Sequence, residues 1–197
     1  MSVKKLMVDK LMNRLGWTLE DDLPEIGPKA IWVYPTHTSE IDALIAPIAG
    51  LFVGATPAWS FLSSYWYDKR LLKPIFEKMN FIRIDKYTKG EGVKTLNSVV
   101  DQLANKSEYH LSICPEGTTE YIDHWKPGFY YLAKKLKCPI YVIRQDYKRK
   151  IIGYSNPMFV WEMTKKELMD SIREYVDPEW ALHPGKVGEI NFKKKQK

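Results

Sequence analysis

His37 and Asp42 are side chains whose types and spacing could support acid–base chemistry. They lie five residues apart in the stretch YPTHTSEIDALI, residues 34–45, which follows an apolar run. An imidazole can remove a proton from a hydroxyl near neutral pH, and a neighbouring carboxylate can fix its tautomer and stabilise its protonated form. Ser39, however, could cap a helix whose N3 residue, Asp42, supports the cap and the helix dipole. Spacing alone favours the capped helix and leaves the catalytic pair open.

A second polar segment, ICPEGTTE at residues 113–120, also follows an apolar run. Gly117 permits an unusual backbone conformation or the close approach of a ligand. Glu116, directly before it, could accept a hydrogen bond from a substrate hydroxyl. Taken by itself, the segment is also compatible with an ordinary surface turn.

A third segment, NFIRIDK at residues 80–86, places Arg83 and Lys86 around a short apolar strand. Both cations could pair with a phosphate, although solvated charges at the end of a strand are common. The histidines lack the clustered spacing of metal ligands, no G-x-S-x-G nucleophile elbow is present, and Cys114 is typical of an apolar strand end. We therefore expect no metal site, and nothing in the sequence requires a covalent nucleophile.

The elements that must position these side chains alternate between strand and helix patterns. Strands are predicted over residues 30–34, 81–84, 109–114, 139–143 and 151–154, and helices over residues 40–50, 68–78, 90–105, 128–136 and 165–175. This alternation predicts one α/β domain over residues 1–197, with a central, mostly parallel sheet flanked by helices. In such folds the loops at the carboxyl ends of the strands usually carry the chemistry.

Composition narrows the class of protein and of partner. A chain of 197 residues with 45 % apolar and 27 % charged residues is long enough for one core, and its balance argues against disorder. Two cysteines form no disulfide framework, which indicates a reducing compartment. The net charge of +6 favours anionic partners such as phospholipid surfaces or nucleotide-bearing cofactors. No nucleic-acid partner is expected, because the lysines are scattered and no recognition motif is present.

Two segments bear on the membrane. Residues 1–17 are predicted to form a helix with a broad apolar face, either packed on the domain or lying at an anionic membrane surface. Residues 43–67 carry no charge and are long enough to cross a bilayer, but they contain prolines and glycines. A helix, a turn and a buried strand fit that segment better than a transmembrane span. With no signal peptide visible, we expect a cytoplasmic protein that associates peripherally with membranes.

The order of these segments along the chain indicates a protein family more specifically than any one segment does. HTSEID, FIRIDK, PEGTTE and WKPGFYYLAKKLKCPIYVIRQDYKRK (residues 125–150) occur in this order. Together they resemble the glycerolipid acyltransferase family of 1-acylglycerol-3-phosphate (lysophosphatidic acid) acyltransferases. That family has a His-x4-Asp block, a G-x-x-F-I-D-R block, a P-E-G-T-R block and a short apolar strand that begins with proline. The resemblance extends from about residue 30 to about residue 155.

The resemblance implies a glycerol-3-phosphate acyltransferase-like fold and a reaction. His37 would be the general base that deprotonates a hydroxyl of a lysophospholipid, and Asp42 would orient it. The alkoxide would attack the thioester of acyl-CoA or of acyl-carrier protein, so that no acyl-enzyme and no cofactor are needed. Glu116, Gly117 and Thr118 would position the acceptor in this step of phospholipid biosynthesis.

The sequence departs from the family at the expected phosphate site. Thr119 stands where the third block has arginine, and Lys86 replaces the arginine of the second block. Lysine cannot reproduce the bidentate fork of arginine, so Arg83, Lys126 or Lys89 would have to compensate. Two alternatives therefore stay open: a lipid-binding protein that keeps the fold without catalysis, and a transacylase that takes its acyl chain from another phospholipid.

Overall fold

A seven-stranded sheet organises the part of the chain that the structure describes. The structure is a computed structural model, and it describes residues 3–56, 58–71, 73–78, 80–85, 88 and 90–193. The strands are β1 (Thr18–Leu19), β2 (Lys29–Val33), β3 (Ala58–Ser63), β4 (Phe81–Ile84), β5 (Tyr109–Ile113), β6 (Ile140–Asp146) and β7 (Ile151–Tyr154). Their order across the sheet is β1-β7-β6-β2-β5-β3-β4.

The five strands from β2 to β6 all run in the same direction. β7 is antiparallel to β6, and β1 pairs in parallel with β7. The sheet is therefore mixed and mostly parallel. The carboxyl ends of β2, β5 and β6, which are neighbours, lie at one edge.

The helices are α1 (Val3–Arg14), α2 (Glu40–Val53), α3 (Ser64–Tyr67), α4 (Lys73–Lys78), α5 (Glu91–Leu103), α6 (Gly128–Leu136) and α7 (Lys165–Tyr175). Two short 3-10 helices, Pro178–Trp180 and Pro184–Lys186, follow α7. Alternate residues of β2 face the two helical layers, because successive side chains of a strand point to opposite faces. Ile31 and Val33 pack with α5, α6 and α7, whereas Ala30 and Trp32 lie on the other face, where α2 packs.

α1 packs along α2 through part of its apolar face. Met12 is buried with Trp17, Ala49 and Phe52, whereas other apolar side chains of α1 remain exposed. The helix predicted over residues 1–17 ends earlier, at Arg14, because Gly16 adopts a φ of 81° and turns the chain out of the helix. The helix rests on the domain and still presents an apolar surface.

The structure confirms the predicted fold class: a single α/β domain with a mostly parallel sheet flanked by helices. The predicted helix over residues 68–78 is wrong at its start, because the helix begins at Lys73, after a separate turn of helix, α3. Pro74 explains the late start, since proline is accommodated in the first turn of a helix but not in its interior. β1 was not predicted, because a strand of two residues carries no periodic signal.

The uncharged residues 43–67 form most of α2, then β3, and then α3. The helix and the strand were predicted, whereas α3 was not. The strand is less buried than predicted, because Leu62 alone among its residues is buried. Within the described ranges, none of the helices is both long enough and apolar enough to cross a bilayer.

Candidate active site

Three loops meet at the carboxyl edge of the central strands. They follow β2, β5 and β6, whose registers place Val33 beside Ile113 on one side and beside Val142 on the other. Parallel neighbours end at the same edge of a sheet, so the polar residues after each strand are brought together. The candidate site is built from these loops and from the first turn of α2.

The start of α2 carries the cap that the sequence predicted. The Ser39 hydroxyl accepts a hydrogen bond from the N–H of Ile41 at 3.3 Å. Oδ2 of Asp42 accepts from the N–H groups of Ser39 and Thr38, both at 2.9 Å. This reciprocal capping box holds the Asp42 carboxylate over the helix N-terminus.

The same carboxylate also faces His37. Nδ1 of His37 lies 3.4 Å from Oδ2 of Asp42, and the two side chains are only 15 % and 9 % exposed. The separation is longer than a normal charge-assisted hydrogen bond, but such contacts often tighten when a substrate binds. The cap and the pair are therefore two functions of one carboxylate. Because Nδ1 is turned inward, Nε2 is the ring nitrogen available to a substrate.

Asp42 is arranged to remain ionised. Burial by itself would raise the pKa of this carboxyl. The interactions that it accepts from His37, from the Tyr147 hydroxyl and from the N–H of Ser39 outweigh burial, and its pKa lies below the ordinary value. Hydrogen bonds to the charged form have this effect because they favour ionisation. An ionised Asp42 can stabilise an imidazolium at His37.

Glu116 holds the loop that carries His37. Its Oε1 accepts from the N–H of Thr36 at 3.1 Å, and its Oε2 accepts from the N–H of His37 at 3.4 Å. Thr36 has a φ of 62°, an uncommon value for a β-branched residue. Both Glu116 oxygens are thus used by the backbone of the His37 loop. The predicted contact of Glu116 with the acceptor remains a prediction.

The pKa of the Glu116 carboxyl is strongly raised. Burial raises its pKa to about 8, although the two backbone N–H groups act in the opposite direction. The charge of Asp42 adds to the increase. A carboxyl that changes charge near neutral pH therefore lies directly behind the His37 loop.

Tyr147 was not identified as a site residue from the sequence. It follows β6 directly, and its hydroxyl donates a hydrogen bond to Oδ1 of Asp42. Gln145, two residues earlier, donates from Nε2 to the Tyr147 oxygen at 2.8 Å. Gln145 and Tyr147 are two residues apart at the end of a strand, so their side chains point to the same side of the sheet. The order of the strands places them beside α2, and the sequence does not show that order. A small cavity of about 10 Å³, roughly the room for one water molecule, lies between these groups.

Cys114 also lines this cavity. Burial raises the pKa of its thiol well above the ordinary value, and the nearby Glu116 and Asp42 add to the effect. The group is therefore kept as a thiol, which is the weakly nucleophilic form.

The rest of the PEGT segment positions a cation. Gly117 has a φ of 65°, and a Cβ atom added there would lie 2.8 Å from Nζ of Lys126. Glycine is favoured here by the backbone conformation, and its lack of a side chain leaves room for the lysine ammonium. The N–H of Lys126 donates to the carbonyl of Pro115 at 2.9 Å, which ties the two segments together. Thr118 accepts from the N–H of Glu120 at 3.3 Å and so shapes the turn.

The predicted phosphate site on β4 is only partly described. Arg83 lies at the same edge of the sheet, but β5 and β3 separate β4 from β2. Its guanidinium forms a bidentate pair with Asp68, with Nε–Oδ1 and Nη2–Oδ2 distances of 2.9 and 2.7 Å. Lys86 and Lys89 lie outside the described residues. The structure therefore brings together His37, Asp42 and Glu116, and it places Arg83 apart from them.

A comparison with known protein families bears on the family of the chain. The family model described as Acyltransferase matches residues 18–144, well over half of the chain. The matched span contains His37, Asp42 and Glu116, and it ends just before Gln145 and Tyr147. No curated protein matches the sequence.

Proposed function

The chain belongs to the Acyltransferase family, and we propose that it transfers a fatty acyl group from a thioester to a hydroxyl of a lysophospholipid. The donor is acyl-CoA or acyl-carrier protein, and the reaction takes place at a membrane surface. The observation that carries the proposal is the His37–Asp42 pair, in which Asp42 is buried and His37 is largely buried, at the carboxyl edge of the sheet.

In the proposed reaction Nε2 of His37 removes the proton of the acceptor hydroxyl while Asp42 stabilises the imidazolium. The acceptor oxygen attacks the thioester carbonyl carbon, the C–S bond breaks, and the thiolate takes the proton back from His37. The acyl group moves directly to the acceptor, so no side chain carries it. A high-pKa Cys114 fits this direct transfer.

The acceptor in the proposal carries a phosphate. Thr119 occupies the position of the family's arginine, and the Lys126 ammonium lies over Gly117 in the same loop. A lysine contributes a point charge with three donors, which suits a phosphate without bidentate geometry. We therefore assign the acceptor phosphate to Lys126, with Glu116 and Gly117 shaping the loop beneath it.

The membrane part of the proposal is supported by two surfaces. On α1 the exposed fractions of Met7 and Leu11 are 66 % and 47 %, and that of Leu15, directly after the helix, is 52 %. The basic residues Lys10 and Arg14 are also exposed. An exposed apolar stripe beside cations is typical of helices that lie in the membrane interface.

The second surface follows β3 at the edge that holds the site. Tyr65 and Leu71 are 58 % and 87 % exposed. Lys69 lies over the Tyr65 ring, with its Nζ 4.5 Å from the ring centroid. Aromatic, basic and apolar groups in one segment are the combination enriched at membrane–water interfaces.

The experiment is a thiol-release assay on the purified protein. Acyl-CoA and acyl-carrier protein are each supplied with lysophosphatidic acid, with a lysophospholipid that has a neutral headgroup, or with no acceptor. We expect thiol release that depends on the acceptor and is lost in His37→Ala. His124→Ala is the matched histidine control, because the His124 ring pairs with the neighbouring Asp123 in the loop before α6.

Three results would contradict the proposal. Full activity in His37→Ala would rule out the base. Acyl transfer between phospholipids without thiol release would favour the transacylase. Binding to vesicles without turnover across the acceptor panel would favour a lipid-binding protein without catalysis.

A further inference from the structure

Tyr147 occupies a position next to the proposed base that the family match does not reach. The matched span ends at residue 144, whereas Tyr147, which bonds to Asp42, and Gln145, which bonds to Tyr147, lie beyond it. Tyr147 is anchored at both ends, because its N–H donates to the carbonyl of Trp180 at 3.0 Å while its hydroxyl contacts Asp42. Trp17 packs edge-on against its ring at a centroid distance of 5.5 Å.

The direction of the Tyr147 hydrogen bond follows from its neighbours. Nε2 of Gln145 is an amide nitrogen and can act only as a donor, so the Tyr147 oxygen accepts from it at 2.8 Å. The hydroxyl proton is then directed to Oδ1 of Asp42, which as a carboxylate can only accept. Burial and the charge of Asp42 both raise the pKa of Tyr147, so the hydroxyl keeps this proton. The donor chain runs from Gln145 through Tyr147 to Asp42.

The two oxygens of Asp42 have different partners. Oδ2 accepts from the N–H groups of Thr38 and Ser39 and faces His37. Oδ1 accepts from Tyr147, on the opposite side of the carboxylate. A carboxylate held at both oxygens cannot rotate about its Cβ–Cγ bond without breaking one of these contacts. The Tyr147 hydroxyl also draws negative charge toward Oδ1 and away from the oxygen that faces the imidazole.

We propose that Tyr147 is a positioning residue for the acyl transfer, holding the Asp42 carboxylate in the orientation and charge distribution that serve His37. The inference rests on the proposed function for its kinetic consequence, but its electrostatic consequence does not need turnover. Gln145 supports the same bond by fixing the direction of the Tyr147 proton. A simpler possibility is that the hydroxyl merely ties β6 to α2, in which case removing it would affect stability alone.

Other titratable groups also surround the pair and define the controls. They are Tyr34 at the end of β2, Cys114 and Glu116 after β5, the exposed Glu40 on α2, and Lys126 near Gly117. Glu116, with a pKa of about 8, titrates in the range of the assay, so the kinetic profile must be paired with a signal from the His37 ring itself.

The test compares Tyr147→Phe with the wild type and with Tyr154→Phe. Tyr154 is a matched control, because it is also buried and its hydroxyl donates to the carbonyl of Pro24 at 2.8 Å, away from the site. In Tyr147→Phe more negative charge stays on Oδ2, which favours the protonated imidazole. We expect the acidic limb of the kcat/KM profile to move up by about half a pH unit. We also expect kcat to fall roughly tenfold while the acceptor KM changes less than about twofold.

An NMR titration of the His37 ring, assigned with His37→Ala, provides the readout that does not depend on turnover. The midpoint should move to higher pH in Tyr147→Phe and stay unchanged in Tyr154→Phe. An unchanged midpoint, or one that moves to lower pH, overturns the inference even if the enzyme is active. A shifted midpoint in a protein without turnover supports the inference and refutes the proposed function. If Tyr147→Phe does not fold, Gln145→Met tests the same chain of donors, with a smaller shift in the same direction expected and an unchanged midpoint overturning it.

Discussion

The carboxyl edge of the sheet has a central part and a lateral part of opposite character. In the central part, after β2, β5 and β6, the carboxylates of Asp42 and Glu116 are buried and bonded to backbone N–H groups. In the lateral part, formed by the end of β4 and the segment after β3, the Arg83–Asp68 pair is exposed, with side chains 45 % and 49 % accessible. The central part holds its groups in defined positions, whereas the lateral part presents charge to solvent.

The contrast separates two tasks of a group-transfer site. Proton transfer requires a base and its partner to be held within a few tenths of an ångström, which buried hydrogen bonds can achieve. Recruiting an anionic surface requires charge that solvent and ligand can reach. Exposed ion pairs contribute little to stability, so they can exchange partners at low cost. The predictions that follow test whether catalysis belongs to the central part and whether the lateral part is dispensable for chemistry.

The largest effect is expected from Asp42→Asn, which removes the charge in the central part while keeping the shape. We expect kcat to fall roughly 10²- to 10⁴-fold, because the amide neither stabilises the imidazolium nor enforces the tautomer that leaves Nε2 free to accept a proton. Steady-state thiol release measures the loss, and a thermal melt checks that the fold is retained. Activity within threefold of the wild type would mean that Asp42 serves the helix cap alone.

The second prediction concerns how the titration of Glu116 makes the free energy of unfolding depend on pH. Its pKa is raised from 4.5 to about 8, so the folded protein holds the proton more tightly than the unfolded chain. The resulting stabilisation is complete below about pH 4.5 and is lost as the pH rises through about 8. The loss is on the order of a few kcal/mol. Glu116→Gln removes this titration, so its stability relative to the wild type should increase from pH 5 to pH 8.

Urea unfolding at several pH values measures this difference in the free energy of unfolding. Glu120→Gln is the control, because Glu120 lies in the same segment with its side chain 68 % exposed and paired with Lys186. It should follow the wild-type curve. Parallel curves for Glu116→Gln and the wild type would show that burial of Glu116 is not linked to folding.

The smallest effect is expected for the acceptor KM when one cation is removed from each part, Lys126 from the central part and Arg83 from the lateral part. Lys126→Ala should raise the KM for a phosphate-bearing acceptor about tenfold, which is the typical loss of one accessible charge contact. Arg83→Ala should raise it less than about threefold, because Asp68 already occupies the guanidinium fork. An acceptor without phosphate should not distinguish the variants. The reverse order would move phosphate recognition to the lateral part and refute the comparison as drawn.

Much of the fold was predictable because its signals are local. The strands over residues 81–84 and 151–154 and the helices over residues 128–136 and 165–175 have the predicted bounds. In each of these elements the hydrophobic period, or the residues that start and stop the element, lie within the segment itself. The predicted start of α4 was wrong because the charged residues between positions 68 and 73 continue a helical pattern through the segment that separates α3 from α4.

The site was predictable in part for the same reason. His37 and Asp42 are neighbours in the chain, and a cap followed by one turn of helix is enough to bring them together. The bonds from Glu116 to the His37 loop join residues 80 and 79 positions apart, and the bond from Tyr147 to Asp42 joins residues 105 positions apart. No local pattern reports contacts at such separations.

By itself the sequence determined the α/β class, the helix cap at Ser39 and the proximity of His37 to Asp42, because each depends on residues a few positions apart. The tertiary structure decided the rest. Placing β2 between β5 and β6 is what aims Glu116 at the backbone of the His37 loop and Tyr147 at Asp42. Strand order is set by the packing of whole elements against one core, and periodicity along the chain carries no information about which strands become neighbours.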